Sequence, residues 1–486
     1  MNMSFTADKQ TLDDLSLTGK YKPDSVYSLF NRVQTVGGEK LLDSLFQHPL
    51  SDADAINRRS GLFQYFQRKA LAFPLRGVTL QVMEGYLGAG GAGLITSLAG
   101  MARLRVMDAV VRDERYGRVR AGVQATVEVV KELLTFVERL EEEGPFGERV
   151  CDMKTLFHDR RLAWMRTVDM ARPGWIQMAR YDYLLRGVLR EEMEMLMEII
   201  YELDVYIAVA GVAADKGYAY AEALPAADGV LSLRGLRHPR LDKGVRNDVV
   251  LSETTNMLFL TGANMAGKST LMKSFGIAVY LGHMGFPVAV EEMRFSVRDG
   301  LYTSINVPDN LSLGHSHFYA EVLRVKKVAQ EVGQGRRIVV IFDELFKGTN
   351  VKDAYDATLA VTKELTEYRH CIFIISTHII EVGEALRTRG EVGEAPRMRG
   401  EVGDGMRTGG EVGEAPRTGG EVREGRQARA GKVRFAYLPT VMEGMIPRYP
   451  YKLEEGITAD RHGMMIIENE GVLELIRSGA RSGSYT

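Results

Sequence analysis

Cysteine is almost missing: Cys151 and Cys371 are the only two in 486 residues. Without further Cys or His at ligand spacing, they exclude a disulfide scaffold and a zinc-ribbon type of site. Cys371 begins the run Cys371-Ile372-Phe373-Ile374-Ile375 and reads as a buried thiol. An excess of one charge is also missing. The net charge is −2 and the pI about 6.6, so the chain has no global basic signature, although a local basic patch could still meet phosphates. No apolar run is long enough to span a bilayer, and Met1 to Asp14 lacks the apolar core of a signal peptide. A soluble chain in a reducing compartment, most simply the cytoplasm, is expected. What is plentiful is apolar residues, 45% of the chain, enough for the cores of two or three domains.

Residues 24–223 read as mostly helical. Val123 to Glu143 and Val188 to Val209 carry apolar residues at helical spacing between charged ones. A glycine-rich stretch, Gly88-Ala89-Gly90-Gly91-Ala92-Gly93, formally fits the dinucleotide pattern G-x-G-x-x-G. No strand precedes it, so a turn between helices is the better reading. From about Leu231 short β-type runs alternate with helices. Asn256 to Leu260, Ile338 to Phe342 and Ile372 to Ile375 predict buried parallel strands, and Ser269 to Leu281 and Tyr319 to Gln330 predict helices. This is the pattern of an α/β domain with a mainly parallel sheet. Residues 381–430 differ from both halves: copies of a ten-residue unit begin at Glu381, Glu391, Glu401, Glu411 and Glu421. Glycine, arginine and glutamate dominate, too little apolar surface to offset ordering entropy, and a disordered insert is expected. An arginine/glycine nucleic-acid tether is the sharper alternative to a tolerated loop expansion.

The chemistry concentrates in one segment. Gly262-Ala263-Asn264-Met265-Ala266-Gly267-Lys268-Ser269 fits G-x-x-x-x-G-K-[ST], follows an apolar strand and opens a helix. The glycines let the backbone wrap phosphates, Lys268 would reach the β/γ-phosphates, and the Ser269 hydroxyl would ligate Mg²⁺. Ile338 to Phe342 ends in Asp343-Glu344. Asp343 could hold Mg²⁺ through water, and Glu344 could polarise the water that attacks the γ-phosphate. The strand from Cys371 ends in Thr377-His378, where the imidazole could sense the γ-phosphate or position water. These elements predict an ATPase with ATP and Mg²⁺ as its ligands.

Several further segments resemble the MutS family of DNA mismatch repair proteins. Thr261 to Thr270 is similar to that family's T-G-P-N-M-x-G-K-S-T, with Ala263 in place of proline and Thr270 closing the motif. Asp343-Glu344 followed by Lys347-Gly348-Thr349 resembles D-E-x-x-x-G-T. Arg237-His238-Pro239 resembles the R-H-P that opens the family's ATPase domain, and His378 matches its switch histidine. Leu311 to Glu321 is similar to the signature segment, in which the serine matching Ser316 reaches the γ-phosphate bound by the other subunit. The resemblance therefore implies a homodimer with Ser316 acting in trans, and with it DNA and a MutL-like protein as partners. Asp24 to Arg59 is similar to the start of the family's helical core and lever. The implied fold is an α/β phosphate-loop NTPase domain, ABC/MutS-like, preceded by a mostly α-helical core/lever domain. The organisation is then a segment 1–23, the helical domain 24–223, an ATPase domain in two pieces, 224–380 and 431–478, around the insert 381–430, and a tail 479–486. The carboxyl-terminal piece Tyr451 to Ile467 matches a segment that, in the family, ends in a short helix at the dimer interface.

Departures matter equally. The core pattern begins near Asp24, which leaves no place before it for the family's mismatch-reading and connector domains, and the helical half is short for a core plus a separate clamp. No aromatic purine-stacking residue stands upstream of Gly262, where Val249-Val250 occur. For DNA contact the candidates are Lys154, Arg160, Arg161, Arg166, Arg172 and Arg180, interleaved with Trp164 and Trp175. The same stretch also fits two helices broken at Pro173-Gly174 with a solvated basic face. Two functions remain open: ATP-controlled clamping on DNA, in mismatch repair or recombination, and an ATP-gated dimerisation switch acting on a protein partner. An ABC transporter is disfavoured because the signature departs from L-S-G-G-Q, and no carboxylate cluster outside the ATP site supports a nuclease.

Overall fold

Helical apolar spacing translates into helices where it was strongest. The computed structural model describes residues 5–89, 99–103, 115–168, 174–305, 317–388, 433–443, 446–458, 471–472 and 474–475. The chain divides into two compact units, Met1–Val250 with Ser269–Ser304, and Leu251–Lys268 with Ile305–Thr486.

In the first unit the helix Arg190–Lys216 is the organising element. It buries Met193, Leu196, Ile199, Ile200 and Leu203 in one apolar cluster that also holds Val130, Leu133, Met153, Leu156 and Met178 from other helices. The helix ends at Gly217, whose left-handed φ of +60° a glycine adopts without steric cost. Arg237 of the R-H-P segment donates from Nη2 to the carbonyls of Lys216 at 2.9 Å and Gly217 at 3.2 Å. A guanidinium there satisfies otherwise orphaned carbonyls and meets the negative end of the helix dipole.

A buried carboxylate on the same helix sets the next one. Asp204 accepts from the Gln34 amide at 2.9 Å, the Thr35 amide at 2.8 Å and the Thr35 hydroxyl at 2.7 Å. Thr35 Oγ1 in turn accepts from the Gly38 amide at 2.8 Å, capping the helix Val36–Gln47. Burial pushes the Asp204 carboxyl up, opposed by these hydrogen bonds. The two helices meet closely: a Cβ at Gly37 would lie 2.1 Å from the Tyr201 ring. Thr35 as the cap and Gly37 as the contact point are thus packing requirements.

The segment 1–23 is no separate piece. Thr6–Ala7 pairs in parallel with Gly300–Ser304, and the Thr303 amide and hydroxyl donate to Thr11 Oγ1 and Asp14 Oδ2 at 3.0 and 2.7 Å. Beyond the helices, Glu222–Leu224, Glu292–Ser296 and Val230–Leu236 lie side by side in a sheet tied to the helix Ala53–Lys69, where Asn57 bonds both the Ala223 amide and its carbonyl. These strands belong to the first unit, so the compact units do not divide near residue 224. The helix Gly77–Leu87 runs directly into Gly88, where a dinucleotide site would need a strand, and residues 90–93 lie outside the described residues.

His283 is fully buried between Phe5 and Phe295; its Nε2 accepts from the Arg298 amide at 2.9 Å, and its Nδ1 lies 2.8 Å from the Val279 carbonyl. Desolvation pushes this imidazole down to about 3. Unfolded histidine takes up a proton near pH 6.5, whereas the folded one stays neutral until about pH 3. The stability it contributes is therefore complete above about 6.5 and lost as pH falls, by up to about 1.4 kcal/mol per pH unit. His283→Gln, which keeps an acceptor for Arg298, should flatten the fall in urea-unfolding free energy between pH 6.5 and 4. An unchanged slope would show that another group carries the acid sensitivity.

The second unit carries a mainly parallel sheet with helices between its strands. Ile338–Asp343, Ile372–Ser376, Met257–Gly262 and Val433–Leu438 lie in that order, all parallel, and Glu454–Glu455 adds antiparallel to the last. Each strand is apolar and buried throughout its centre, as a sheet covered on both faces requires. The sequence boundaries fell within two residues of these strand ends. The first copy of the repeat, however, does not begin the insert: Ile380–Thr388 is a helix with Val382, Gly383 and Leu386 buried. A Cβ at Gly383 would sit 2.9 Å from the Phe259 ring and 3.1 Å from Ile457, so glycine serves here as a contact face. The repeat copies from Glu391 onward lie outside the described residues.

Candidate nucleotide-binding site

The register of the parallel strands brings the motif residues level. Asp343 pairs with Ser376, Ser376 with Leu260, and Gly262 with Leu438, so the phosphate loop, the acidic pair and Thr377-His378 all leave the sheet at its carboxyl end. That edge is where α/β sheets bind ligands, because connecting loops and helix N-termini converge there.

The loop's glycines have separate reasons. Gly262 holds φ +141°, and a Cβ there would press to 2.9 Å on the Leu438 carbonyl. Gly267 holds φ +99°, and its Cβ would meet Tyr451 Cδ1 at 2.9 Å. Between them Asn264 and Met265 are exposed, Met265 at 79% with a left-handed φ of +70°, while Ala266 is buried. Lys268 opens the helix Lys268–Met284, with Ser269 and Thr270 exposed in its first turn. The Lys268 ammonium is buried and donates to the carbonyls of Gly262 at 2.8 Å and Ala263 at 3.0 Å. Desolvation pulls its pKa down, while the charges of Asp343 and Glu344 push it up. A cation already positioned inside an amide-lined loop is suited to polyphosphate oxygens.

Glu344 and His378 meet directly, Oε1 to Nε2 at 2.5 Å. The hydrogen bond to His378 holds the Glu344 carboxyl below the usual range, against the opposing effect of burial. An ionised carboxylate only accepts, so the imidazole presents Nε2–H to it. The turn that aims Glu344 is unusual, since Glu344 and Phe346 both have left-handed φ, +55° and +62°. For residues with a Cβ such a conformation costs roughly 1–2 kcal/mol each. The Glu344 amide donates to the Ser376 carbonyl at 2.9 Å, and Phe346 is only 3% exposed. Burying a phenylalanine contributes about 1.5–3 kcal/mol, which offsets a large part of that cost.

The fold thus brings Gly262, Gly267, Lys268, Asp343, Glu344 and His378 together as neighbours in one unit. Ser316 lies outside the described residues. Two contacts were not visible in the linear pattern. Tyr451, with φ +55° and half exposed, sets its ring against the phosphate loop at Gly267. The only sequence hint was the aromatic pair Tyr449-Pro450-Tyr451 after Ile446–Arg448. Thr261 Oγ1 accepts from the Thr458 amide at 3.3 Å, tying the carboxyl-terminal piece to the loop strand. Val249, by contrast, is buried in the first unit.

The basic stretch looks different once folded. Lys154 is ion-paired with Glu142, and Arg161 with Asp159 at 2.7 Å and with Glu192. Arg166 donates to the Phe157 carbonyl at 2.6 Å. Arg160 and Arg180 are exposed, Arg172 lies outside the described residues, and Trp164 stacks on Tyr181 at 3.9 Å. Among the described residues no cluster of His, Cys, Asp or Glu could hold a metal by itself, and no helix is long and apolar enough to cross a membrane.

A phosphate loop at the carboxyl end of a mainly parallel sheet, with an acidic pair on the neighbouring strand end, defines a phosphate-loop NTPase type of domain. Comparison with known proteins narrows this: residues 258–398 match the family model described as MutS domain V. The chain is 35% identical over 204 residues to the DNA mismatch repair protein MutS of Thermus thermophilus, covering 41% of this chain and 24% of that protein. It is 31% identical over 193 residues to the MutS of Pseudothermotoga lettingae, and 29% over 197 residues to that of Anaplasma phagocytophilum, each time about 40% of this chain and 23% of the relative. The matched part thus spans about a quarter of the length of these curated relatives. The likeness to MutS proteins rests on this domain.

Gly267→Ala adds a methyl at a left-handed position and against Tyr451. Affinity for a fluorescent ATP analogue should drop at least about tenfold, ~1.4 kcal/mol. The melting temperature should move only a few degrees. Unaltered binding would mean that the loop can open away from Tyr451 at no cost.

Proposed function

We propose that the chain is a Mg²⁺-dependent ATP hydrolase that works as a homodimer and couples nucleotide state to the grip on DNA. The observation that carries this reading is the Glu344–His378 pair, set at the sheet edge that also carries Lys268 and the phosphate loop. In this reading the loop amides and Lys268 hold the β- and γ-phosphates. Ser269 and Asp343 fit Mg²⁺, an ion that takes few protein ligands and completes its shell with phosphate oxygens and water. Glu344 accepts the proton of the attacking water, and His378 fixes the direction of that carboxylate. Tyr451 offers an aromatic face for the base, filling the place for which no upstream residue was found. Ser316 completes the site of the opposite subunit.

Glu344→Gln should trap an ATP-bound dimer with turnover reduced about 10²-fold or more. Ser316→Ala should bind ATP yet fail to hydrolyse it alone. Mixing the two variants and following phosphate release checks the arrangement in trans: each mixed dimer regains one intact site. If Ser316→Ala turned over ATP at the unmodified rate, the composite-site reading would be wrong.

A second reading has a specific observation behind it. Lys154 and Arg161, among the cations best placed in sequence for DNA, are neutralised by carboxylates, and the chain's net charge is −2. An ATP-gated dimer that grips a protein partner, a MutL-like protein among them, needs no phosphate-tracking surface. Filter binding to duplex, mismatched and four-way-junction DNA between 50 and 200 mM salt separates the two. DNA clamping predicts affinity that falls steeply over that range, whereas the protein-partner reading predicts no salt-sensitive binding to any of them.

A further inference from the structure

In the turn after Glu344, the Phe346 ring meets a ring from the helix His317–Gly333. Its backbone is left-handed, a conformation that bulky residues rarely adopt and that persists only where surroundings over-determine it. Its side chain is buried, and the ring centroid lies 5.9 Å from that of Phe318, tilted at 57°. Such offset ring pairs are favourable contacts with a preferred geometry. Phe318 is in the first turn of the helix His317–Gly333, two residues after Ser316 in the chain. On the other side of the same turn, Leu345 is buried and its carbonyl accepts from Thr358 Oγ1 at 3.4 Å. The turn is thus held by three anchors: the Glu344 amide on Ser376, Leu345 on the helix Val351–Thr366, and Phe346 on Phe318.

We infer that Phe346 is a positioning residue: through Phe318 it locks the left-handed turn that aims Glu344 at His378, and couples that turn to the start of the helix His317–Gly333. The inference rests on the ATPase reading of this site. Two consequences follow from the geometry. Removing the ring frees a turn whose backbone is otherwise disfavoured, so Glu344 no longer holds one direction. Removing Phe318 acts in the same direction, because it takes away a ring against which Phe346 is set. Nucleotide contacts at the phosphate loop and Lys268 are untouched in both cases.

Phosphate release by the full-length protein, measured for Phe346→Ala, Phe318→Ala and the double variant, tests this. Each single change should lower kcat about tenfold or more with the KM for ATP within about twofold, as misaligned catalytic groups do. The double variant should be no slower than either single one. Phe346→Leu, which keeps an apolar plug, should restore most of kcat, and it stands in if the alanine variant does not fold. Unchanged kcat in Phe346→Ala or, failing that, a full loss in a folded Phe346→Leu, overturns the inference. So does a double variant whose loss is the product of the two single losses, because the rings would then act independently. Lys268→Ala run alongside keeps the two ideas apart. An unmodified chain with no Lys268-dependent turnover overturns the ATPase reading and the inference with it. Normal Lys268-dependent turnover, together with an indifferent Phe346, overturns the inference alone.

Discussion

The parallel register of the strands ending at Asp343, Ser376 and Gly262 is the constraint on which the rest of the site depends. Each backbone hydrogen bond fixes its neighbours to within a fraction of an ångström, and the chemistry begins where those bonds stop. The Glu344 amide continues the ladder for one more bond, to the Ser376 carbonyl, before the chain turns left-handed. That last bond places the carboxylate opposite His378. A one-residue slip would send Glu344 to the other face of the sheet and leave Lys268 without its acidic neighbours.

Strain is concentrated at this same edge. Met265, Glu344, Phe346 and Tyr451 all carry positive φ without being glycine, and all lie in or against the phosphate loop or the acidic turn. Backbone conformations of this kind survive where packing outweighs them, and they are found where a group must be aimed before its ligand arrives. The first unit uses a different device for the same end. There Asp204 gathers the Gln34 and Thr35 amides and the Thr35 hydroxyl, so a single buried carboxylate fixes where the helix Val36–Gln47 starts on the helix Arg190–Lys216. Arg237 closes the other end of that long helix, which makes the R-H-P segment a helix cap as well as a sequence marker.

Charge in the helical unit is spent locally. Arg149 engages Glu202 at 2.8 Å, Arg186 sits in a buried pair with Asp182 that also receives the Tyr86 hydroxyl, and Lys154 and Arg161 have their own carboxylates. A cation already paired must exchange partners to bind a phosphate, so counting cations along the sequence overstates the field they make.

Sequence alone determined the local facts of this protein. A motif whose function is to wrap a phosphate dictates glycines at fixed intervals, buried parallel strands dictate unbroken apolar runs, and a carboxylate pair dictates where a strand ends. Those are properties of neighbours along the chain, and Gly262 to Ser269, Ile338 to Glu344 and Cys371 to His378 were legible for that reason. The edge of the repeat insert was misplaced because a Glu-Val-Gly-Glu unit looks alike wherever it occurs. Only the presence of Phe259 and Ile457 against Gly383 makes its first copy part of a helix. Tyr451 beside Gly267, Phe346 on Phe318, Asp204 beneath Thr35 and the pairing of Arg161 with Glu192 were likewise decided by tertiary structure. Each joins positions distant in sequence, and which of two apolar or charged groups meet is set by the packing of whole elements.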